Sequence, residues 1–408
     1  MKFKTNQHAS DKQLKVDDKP CVISGSILYL FKGGRQVRVS ANEAGASPSE
    51  FLYGMMELNK MGVTVELIEQ DVLPIGRNGV GYVSRLRMMS TAWVLRKWCE
   101  IAFPGNRYAQ SLEYLNKFSV IVAVPDAIGL ALGYLRSHDW LKAKVILICM
   151  GTALKLENSR QKNYLAYRFS HHYVRQAISG CDRLLALGEG EVSGLQAEFG
   201  PLPGLELLPF AVDFSFWQQP AHDVVRNPVV LFVGNDINRD YELLVRIAAS
   251  MPDVKFQFVT AMLAAGSTPK NVELINSNWQ TSAVTDEGMR ELYQQSAAVI
   301  IPLRNTLQPS GQSVCLQAMA CGAPVVISRT KGFWEPDVFT DGVHCLFIKE
   351  PQVDAWVNAI TLLLQDNKLC RRLAQNAHAL IQIRYDIVDY ARKIQSSICD
   401  LQSCEETL

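Results

Sequence analysis

Several things are missing from this 408-residue chain, and each absence narrows what it can be. No stretch is long and clean enough to cross a bilayer. The longest apolar run, Val120–Leu135, is broken by Pro125-Asp126. The first twenty residues, MKFKTNQHASDKQLKVDDKP, lack an apolar core, so they predict a loose tail and no signal peptide. These absences predict a cytoplasmic protein and leave peripheral membrane association open. Charge of one sign is missing too. Lys+Arg number 41 and Asp+Glu 40, a net charge of +1. That argues against a global polyanion binder and predicts no nucleic-acid partner, while leaving local patches open. The ten cysteines show no CxxC and no Cys/His cluster at zinc spacing. They predict reduced thiols packed as small apolar residues, with no metal site. No internal repeat or low-complexity segment is visible.

What is present is ordinary globular composition, 48% hydrophobic and 20% charged, over a length that calls for two domains. Apolar strand-like runs alternate with helical patterns. In the first half, strands are expected at 26–30, 63–68, 118–124, 143–149 and 183–186. Helices are expected at 47–60, 85–103, 127–136, 159–179 and 189–199, with a polar loop from Lys32 to Ala46. Ser47 reads as an N-cap, with Pro48 in the first turn and Glu50 three positions on. Residues 200–228 break the rhythm with Pro201, Pro203, Pro209, Pro220 and Pro228. The linker is placed there. A second set follows: strands at 229–233, 255–259, 272–275, 298–302, 325–328 and 344–348, and helices at 241–250, 286–296, 312–320, 353–365, 369–384 and 388–401. The pattern predicts an α/β protein of two doubly wound, Rossmann-like domains facing a cleft. The expected boundaries are 1–212, 213–385 and a C-terminal helix segment 386–408 that packs back toward the first domain.

Ligands of such sheets bind beyond the carboxyl ends of the strands. Three loops fall there: Gly33 to Gly45, Gly234–Asp240 and Leu303–Gly311. The last opens the helix 312–320 at Ser310-Gly311-Gln312-Ser313. Small residues there leave backbone N–H groups open, and the helix dipole adds positive character, so an anion would bind well. An ordinary crossover whose Ser and Gly only cap the helix is the plainer alternative.

The segment PSGQSVCLQAMACGAPVV, 309–326, resembles the signature of retaining family 4 glycosyltransferases of the GT-B fold. Val233-Gly234 with Arg239-Asp240 resembles that family's phosphate-binding loop. Leu208–Asp213 resembles its linker, and Gly342–Leu346 its glycine-led turn. The resemblance is specific over about 208–350 and architectural before that. It implies sugar transfer from a nucleotide-sugar substrate, with retention and with neither metal nor other cofactor. It implies that Arg239 meets the donor diphosphate, although a surface Arg paired with Asp236 or Asp240 is the alternative. Gly234 would let backbone approach the phosphates. Ser310, Gly311, Gln312 and Ser313 would hold phosphate and sugar. Gln317 stands where the family has the second of two glutamates, the one that binds ribose hydroxyls, and Pro309 stands at the first. Glu335, in Gly332–Pro336, reads as a donor-sugar contact and, with Arg239, as a catalytic candidate, or else as a turn carboxylate. Gly45 and Ser47, with Glu43 and Ser49, are the candidates on the first N-domain loop.

Two basic-aromatic stretches remain. Lys155–Arg175 holds seven basic residues or histidines with Tyr164, Tyr167, Phe169 and Tyr173. Arg85, Arg87, Arg96 and Lys97 accompany Trp93 and Trp98. Such helices suit anionic lipid or a phosphate-bearing acceptor, or are solvated helices with aromatics packed inward. His171 and His172 are adjacent and diverge on a helix, which argues against joint metal binding. The acceptor has no motif. The alternatives to a transferase are a catalytically degenerate GT-B module that binds a sugar nucleotide or a protein partner, and a GT-B epimerase or phosphorylase.

Overall fold

The structure is a computed structural model that describes residues 23–76, 80–99, 102–220, 226–277 and 283–403. The tail read at 1–20 and the side chain of Trp98 lie outside the described residues.

The first sheet has six parallel strands in the order β2-β1-β3-β4-β5-β6. They are β1 (Ile27–Phe31), β2 (Val65–Glu69), β3 (Val120–Ala123), β4 (Lys144–Cys149), β5 (Arg183–Ala186) and β6 (Leu205–Leu207). Around them run α1 (Gln36–Glu43), α2 (Met55–Lys60), α3 (Tyr82–Cys99), α4 (Gly105–Gln110) and α5 (Leu112–Leu115). Then come α6 (Asp126–Arg136), α7 (Thr152–Lys162), α8 (Tyr164–Ser179) and α9 (Glu189–Phe199). Buried on both faces, the central strands read as continuous apolar runs, as parallel sheets require.

The second sheet is also parallel and six-stranded, in the order β12-β11-β10-β7-β8-β9. Its strands are β7 (Asn227–Val233), β8 (Lys255–Val259), β9 (Val272–Ile275), β10 (Ser296–Ile301), β11 (Val325–Ser328) and β12 (Leu346–Ile348). Its helices are α10 (Tyr241–Ala249), α11 (Asp286–Gln295), α12 (Gln312–Ala320), α13 (Val353–Gln365) and α14 (Asn367–Arg384). A final helix, α15 (Ile387–Ser403), leaves this domain and packs on α2. It adds Tyr390, Ile394 and Ile398 to the core on one face of the first sheet. The chain crosses between the sheets at Val212 and again at Asp386. The two crossings pair: Val212 N donates to Tyr385 O at 2.7 Å and Ile387 N to Val212 O at 3.1 Å.

Several local expectations need correction. The polar loop to Ala46 contains α1, a short polar helix that lacks an apolar stripe. The helix expected over 47–60 splits into a 3-10 turn, Glu50–Leu52, and α2, because Tyr53 and Gly54 take left-handed backbone. Ser47 caps nothing. The helix expected over 159–179 breaks at Asn163, whose side chain accepts from Leu165 N and starts α8 afresh. Strand β6 hides within the proline-rich stretch. Cys399 on α15 is disulfide-bonded, so not every cysteine is a packed thiol. Sequence spacing cannot show which segment a fold brings to a terminal helix.

Candidate functional site

Each sheet has a switch point, where the strand order turns back on itself. In the second sheet it lies between β7 and β10. The loops that leave these strands are the two that carry Arg239 and Ser310. They are zipped together by Asp240 N donating to Pro302 O at 3.0 Å and Arg304 N to Asn238 O at 2.8 Å. Asp240 caps α10 by accepting from Leu243 N, so it is not the partner of Arg239.

Arg239 is only 3% exposed. Its Nε lies 3.1 Å from Asp236 Oδ2, without hydrogen-bond alignment, and its Nη1 is buried with no partner. Gly234 and Gly311 form its walls. A Cβ on Gly234 would stand 2.4 Å from Arg239 Nε, and one on Gly311 2.6 Å from Nη1. These glycines therefore serve the arginine: Gly234 makes room for Arg239, where backbone approach to a ligand was expected. Gly311 also takes left-handed backbone as N-cap of α12. Gln312, next in sequence, is buried with an unpartnered Nε2. Asn238 donates to Ser310 Oγ and to Gln308 Oε1, each at 2.9 Å. Ser313 stands in the first turn of α12, half-buried.

A buried guanidinium beside a helix N-terminus is electrostatically unfavourable by itself. Among the described residues, the acid in contact with it is Asp236, whose side chain is 42% exposed. The field reaches its neighbours. Burial pushes the Cys315 thiol and the Tyr293 phenol up, and Arg239 pulls both the other way.

Gln317 is not free to hold a ribose. Its Nε2 donates to Glu50 Oε1 at 2.9 Å, and its Oε1 lies 3.4 Å from the Tyr293 hydroxyl. Glu50 comes from the first domain, and Trp217 Nε1 donates to the same oxygen at 2.7 Å. Burial pushes the Glu50 carboxyl up to about 8. The donors from Gln317 and Trp217 oppose that shift, and the Asp213 charge reinforces it. Pro309 is likewise engaged. A Cβ on Gly188 would stand 2.9 Å from Pro309 Cβ, and one on Gly190 2.6 Å from Leu307 O. The start of α9 thus seats the 307–309 loop through missing side chains.

Glu335 is not a cleft carboxylate. It is buried, and both oxygens are occupied. Arg384 donates to Oε1 through Nε at 3.1 Å and through Nη2, and the Tyr385 hydroxyl donates to Oε2 at 2.5 Å. It clamps the end of α14. Ser47 donates to Asp286 Oδ2 at 2.6 Å, and Arg38 donates to both. This trio joins the first-domain loop to α11. Gly45 sits in an exposed turn after α1, away from these groups. So the structure gathers Arg239, Gly234, Ser310, Gly311, Gln312 and Ser313, while Gln317, Glu335 and Ser47 are bonded to other partners and Gly45 lies in an exposed turn.

Sequence reasoning missed Glu50, Trp217, Asn238 and the Arg38–Asp286 pair. Glu50 looked like a capping residue, and nothing local to it signals a partner 267 positions away. Among the described residues, no group of three or more His, Cys, Asp or Glu could hold a metal ion, and no helix is long and apolar enough to cross a membrane.

Comparisons with known proteins bear on the fold and on the second domain. Residues 268–380 match the family "Glycosyl transferases group 1". No curated protein sequence matches the chain. Among solved structures, a sucrose-phosphate synthase from Thermosynechococcus elongatus superposes with a TM-score of 0.67 at 15% identity, over 93% of this chain and 100% of that one. The HepE protein of Anabaena, in complex with UDP-glucose, gives 0.62 at 15% identity, over 92% and 100%. WaaG, a glycosyltransferase involved in lipopolysaccharide biosynthesis, gives 0.59 at 15% identity, over 91% and 99%. The chain has the fold of the GT-B glycosyltransferases, and its 268–380 stretch carries the group 1 match. The family resemblance read from the sequence is matched where the two overlap, over 268–350.

Proposed function

We propose that this chain transfers a sugar from a nucleotide-sugar donor, with retention and without a metal, to an acceptor held by the first domain. The observation that carries the reading is the unpartnered, buried Nη1 of Arg239 at the N-terminus of α12. A diphosphate would supply the missing anion. It would accept from Arg239, from the open N–H groups of Gly311 to Ser313 and from the Ser313 hydroxyl. As the glycosidic bond breaks, charge builds on the leaving diphosphate, and these preorganised donors stabilise it. Gln312 Nε2, the other orphan donor beside Gly311, is suited to a donor-sugar or phosphate oxygen. UDP is the first base to test, since the HepE structure holds UDP-glucose.

One observation favours a second reading, a module that binds a sugar nucleotide without turning it over. Pro309 and Gln317 occupy the two glutamate positions, and both are engaged in contacts with the first domain. A panel of UDP-, GDP-, ADP- and TDP-sugars separates the two. Donor consumption that is lost in Arg239→Ala supports the transferase. A thermal shift with donor but no consumption supports the module. Neither shift nor consumption sinks both.

A further inference from the structure

The outer face of α3 has no role in the site described so far. Tyr82, Leu86, Met89 and Trp93 follow one another at i, i+4, i+7 and i+11, so they form one row along the helix. All four are exposed, Tyr82 at 75%, Leu86 at 47%, Met89 at 54% and Trp93 at 57%. Met88 and Leu95 are fully buried and belong to the opposite face. The helix is therefore apolar on two faces. One faces the core, and the other faces water at a cost that a folded surface rarely carries without use. Arg85, Arg87, Arg96 and Lys97 lie on the same helix, which contains no Asp or Glu. Lys97 Nζ sits 4.9 Å from the Trp93 ring centroid, its stem along the aromatic. Next to α3, helix α8 opens with Tyr164 and Leu165, each about two-thirds exposed, near Arg168.

The row also borders a cavity of about 770 Å³ at the first sheet's switch point, between β1 and β3. Lys32 follows β1 and Pro125 follows β3. Trp93 and Arg96 of α3 form another wall, with Phe103. Two cations in an otherwise mostly apolar lining suit an anionic group attached to an apolar body. Trp93 belongs to the cavity and to the exposed row, so a molecule could pass from one to the other.

We infer that α3 rests on an anionic lipid surface and that the cavity beside it draws an anionic amphiphilic acceptor from that surface. The acceptor half of this inference rests on the transferase reading. The docking half does not, because vesicle binding needs no turnover. The partner is lipid because the row joins apolar and interfacial aromatic side chains to a purely cationic helix, which suits a headgroup layer.

The test is co-sedimentation of the full chain with vesicles of about 30% phosphatidylglycerol in phosphatidylcholine, against phosphatidylcholine alone. We expect binding to the first, little to the second, and a decline with added salt. Leu86→Ser with Met89→Ser should weaken partitioning about tenfold or more, with the melting temperature unchanged because both sites are exposed. No binding to the anionic vesicles, or binding that the double variant leaves intact, overturns the inference. So does a self-association of the chain in sedimentation equilibrium that the double variant abolishes, because the row would then be covered by a second copy. Decyl phosphate below its micelle concentration probes the cavity. It should raise the melting temperature of the wild type and fail to raise that of Lys32→Ala/Arg96→Ala. An equal shift in both overturns the acceptor half and leaves the nucleotide-sugar site untouched.

Discussion

Glu50 of the first domain accepts a hydrogen bond from Gln317 of the second at 2.9 Å, at the position where the signature that this chain resembles has a glutamate. The carboxylate has not disappeared from this region. It arrives from the other domain, buried and shared with Trp217.

That contact makes stability depend on pH. The Glu50 carboxyl is pushed from its ordinary value near 4.5 to about 8 by burial. The folded protein therefore holds this proton over a range where the unfolded chain has lost it. Its contribution is complete below pH 4.5 and is lost as pH rises through about 8. In Glu50→Gln the same position cannot titrate. The stability difference, wild type minus variant, should fall by roughly a few kcal/mol between about pH 5 and pH 8.5 in urea titrations. A difference that is flat across that window refutes the assignment.

Restoring the family's carboxylate should do harm. In Gln317→Glu the amide donor is lost and two buried carboxyls face each other, with the proton held by Glu50 to share between them. We expect a loss of about 1–3 kcal/mol at neutral pH. The exchanged pair Glu50→Gln/Gln317→Glu should recover most of it. Additive losses in the double-variant cycle would show that the two residues do not interact.

Arg239 separates a ligand site from a structural one. Arg239→Ala should weaken UDP or UDP-sugar binding about thirtyfold or more by calorimetry, near 2 kcal/mol. Without ligand, the variant should be no less stable than the wild type, because a buried cation paired with only one part-exposed acid has been removed. A large loss of ligand-free stability with unchanged affinity would make the residue architectural.

The domain contact at α9 tests how much of the site needs closure. A Cβ on Gly190 would meet the backbone oxygens of Leu307 and Lys331 at 2.6 and 2.9 Å, and neither can rotate away. Gly190→Ala should force the 307–309 loop off α9, with a loss of about 1–3 kcal/mol and a larger radius of gyration in small-angle scattering. An unchanged scattering profile and melting temperature would count against this packing.

Much of the architecture was legible because parallel strands buried on both faces write themselves as apolar runs. α12, β11, α13 and the Thr285 cap of α11 fall where the pattern puts them. The break at Asn163 and the left-handed pair Tyr53-Gly54 were not legible, since both interrupt helices whose flanking periodicity continues. The second apolar face of α3 was hidden for a related reason. A helix that is apolar on two sides has no clear amphipathic signal, and only the fold shows which side is wet.

The sequence by itself determined the two α/β sheets and the helix that starts at Gln312, because each strand and helix is encoded within a few neighbouring residues. It also determined that Pro309 and Gln317 replace two glutamates. Only the tertiary structure decided what those residues do instead. It set Pro309 on Gly188, tied Gln317 to Glu50, closed both oxygens of Glu335 with Arg384 and Tyr385, and walled Arg239 between Gly234 and Gly311. Those outcomes depend on contacts between segments far apart in the chain, and local propensity carries no record of such contacts.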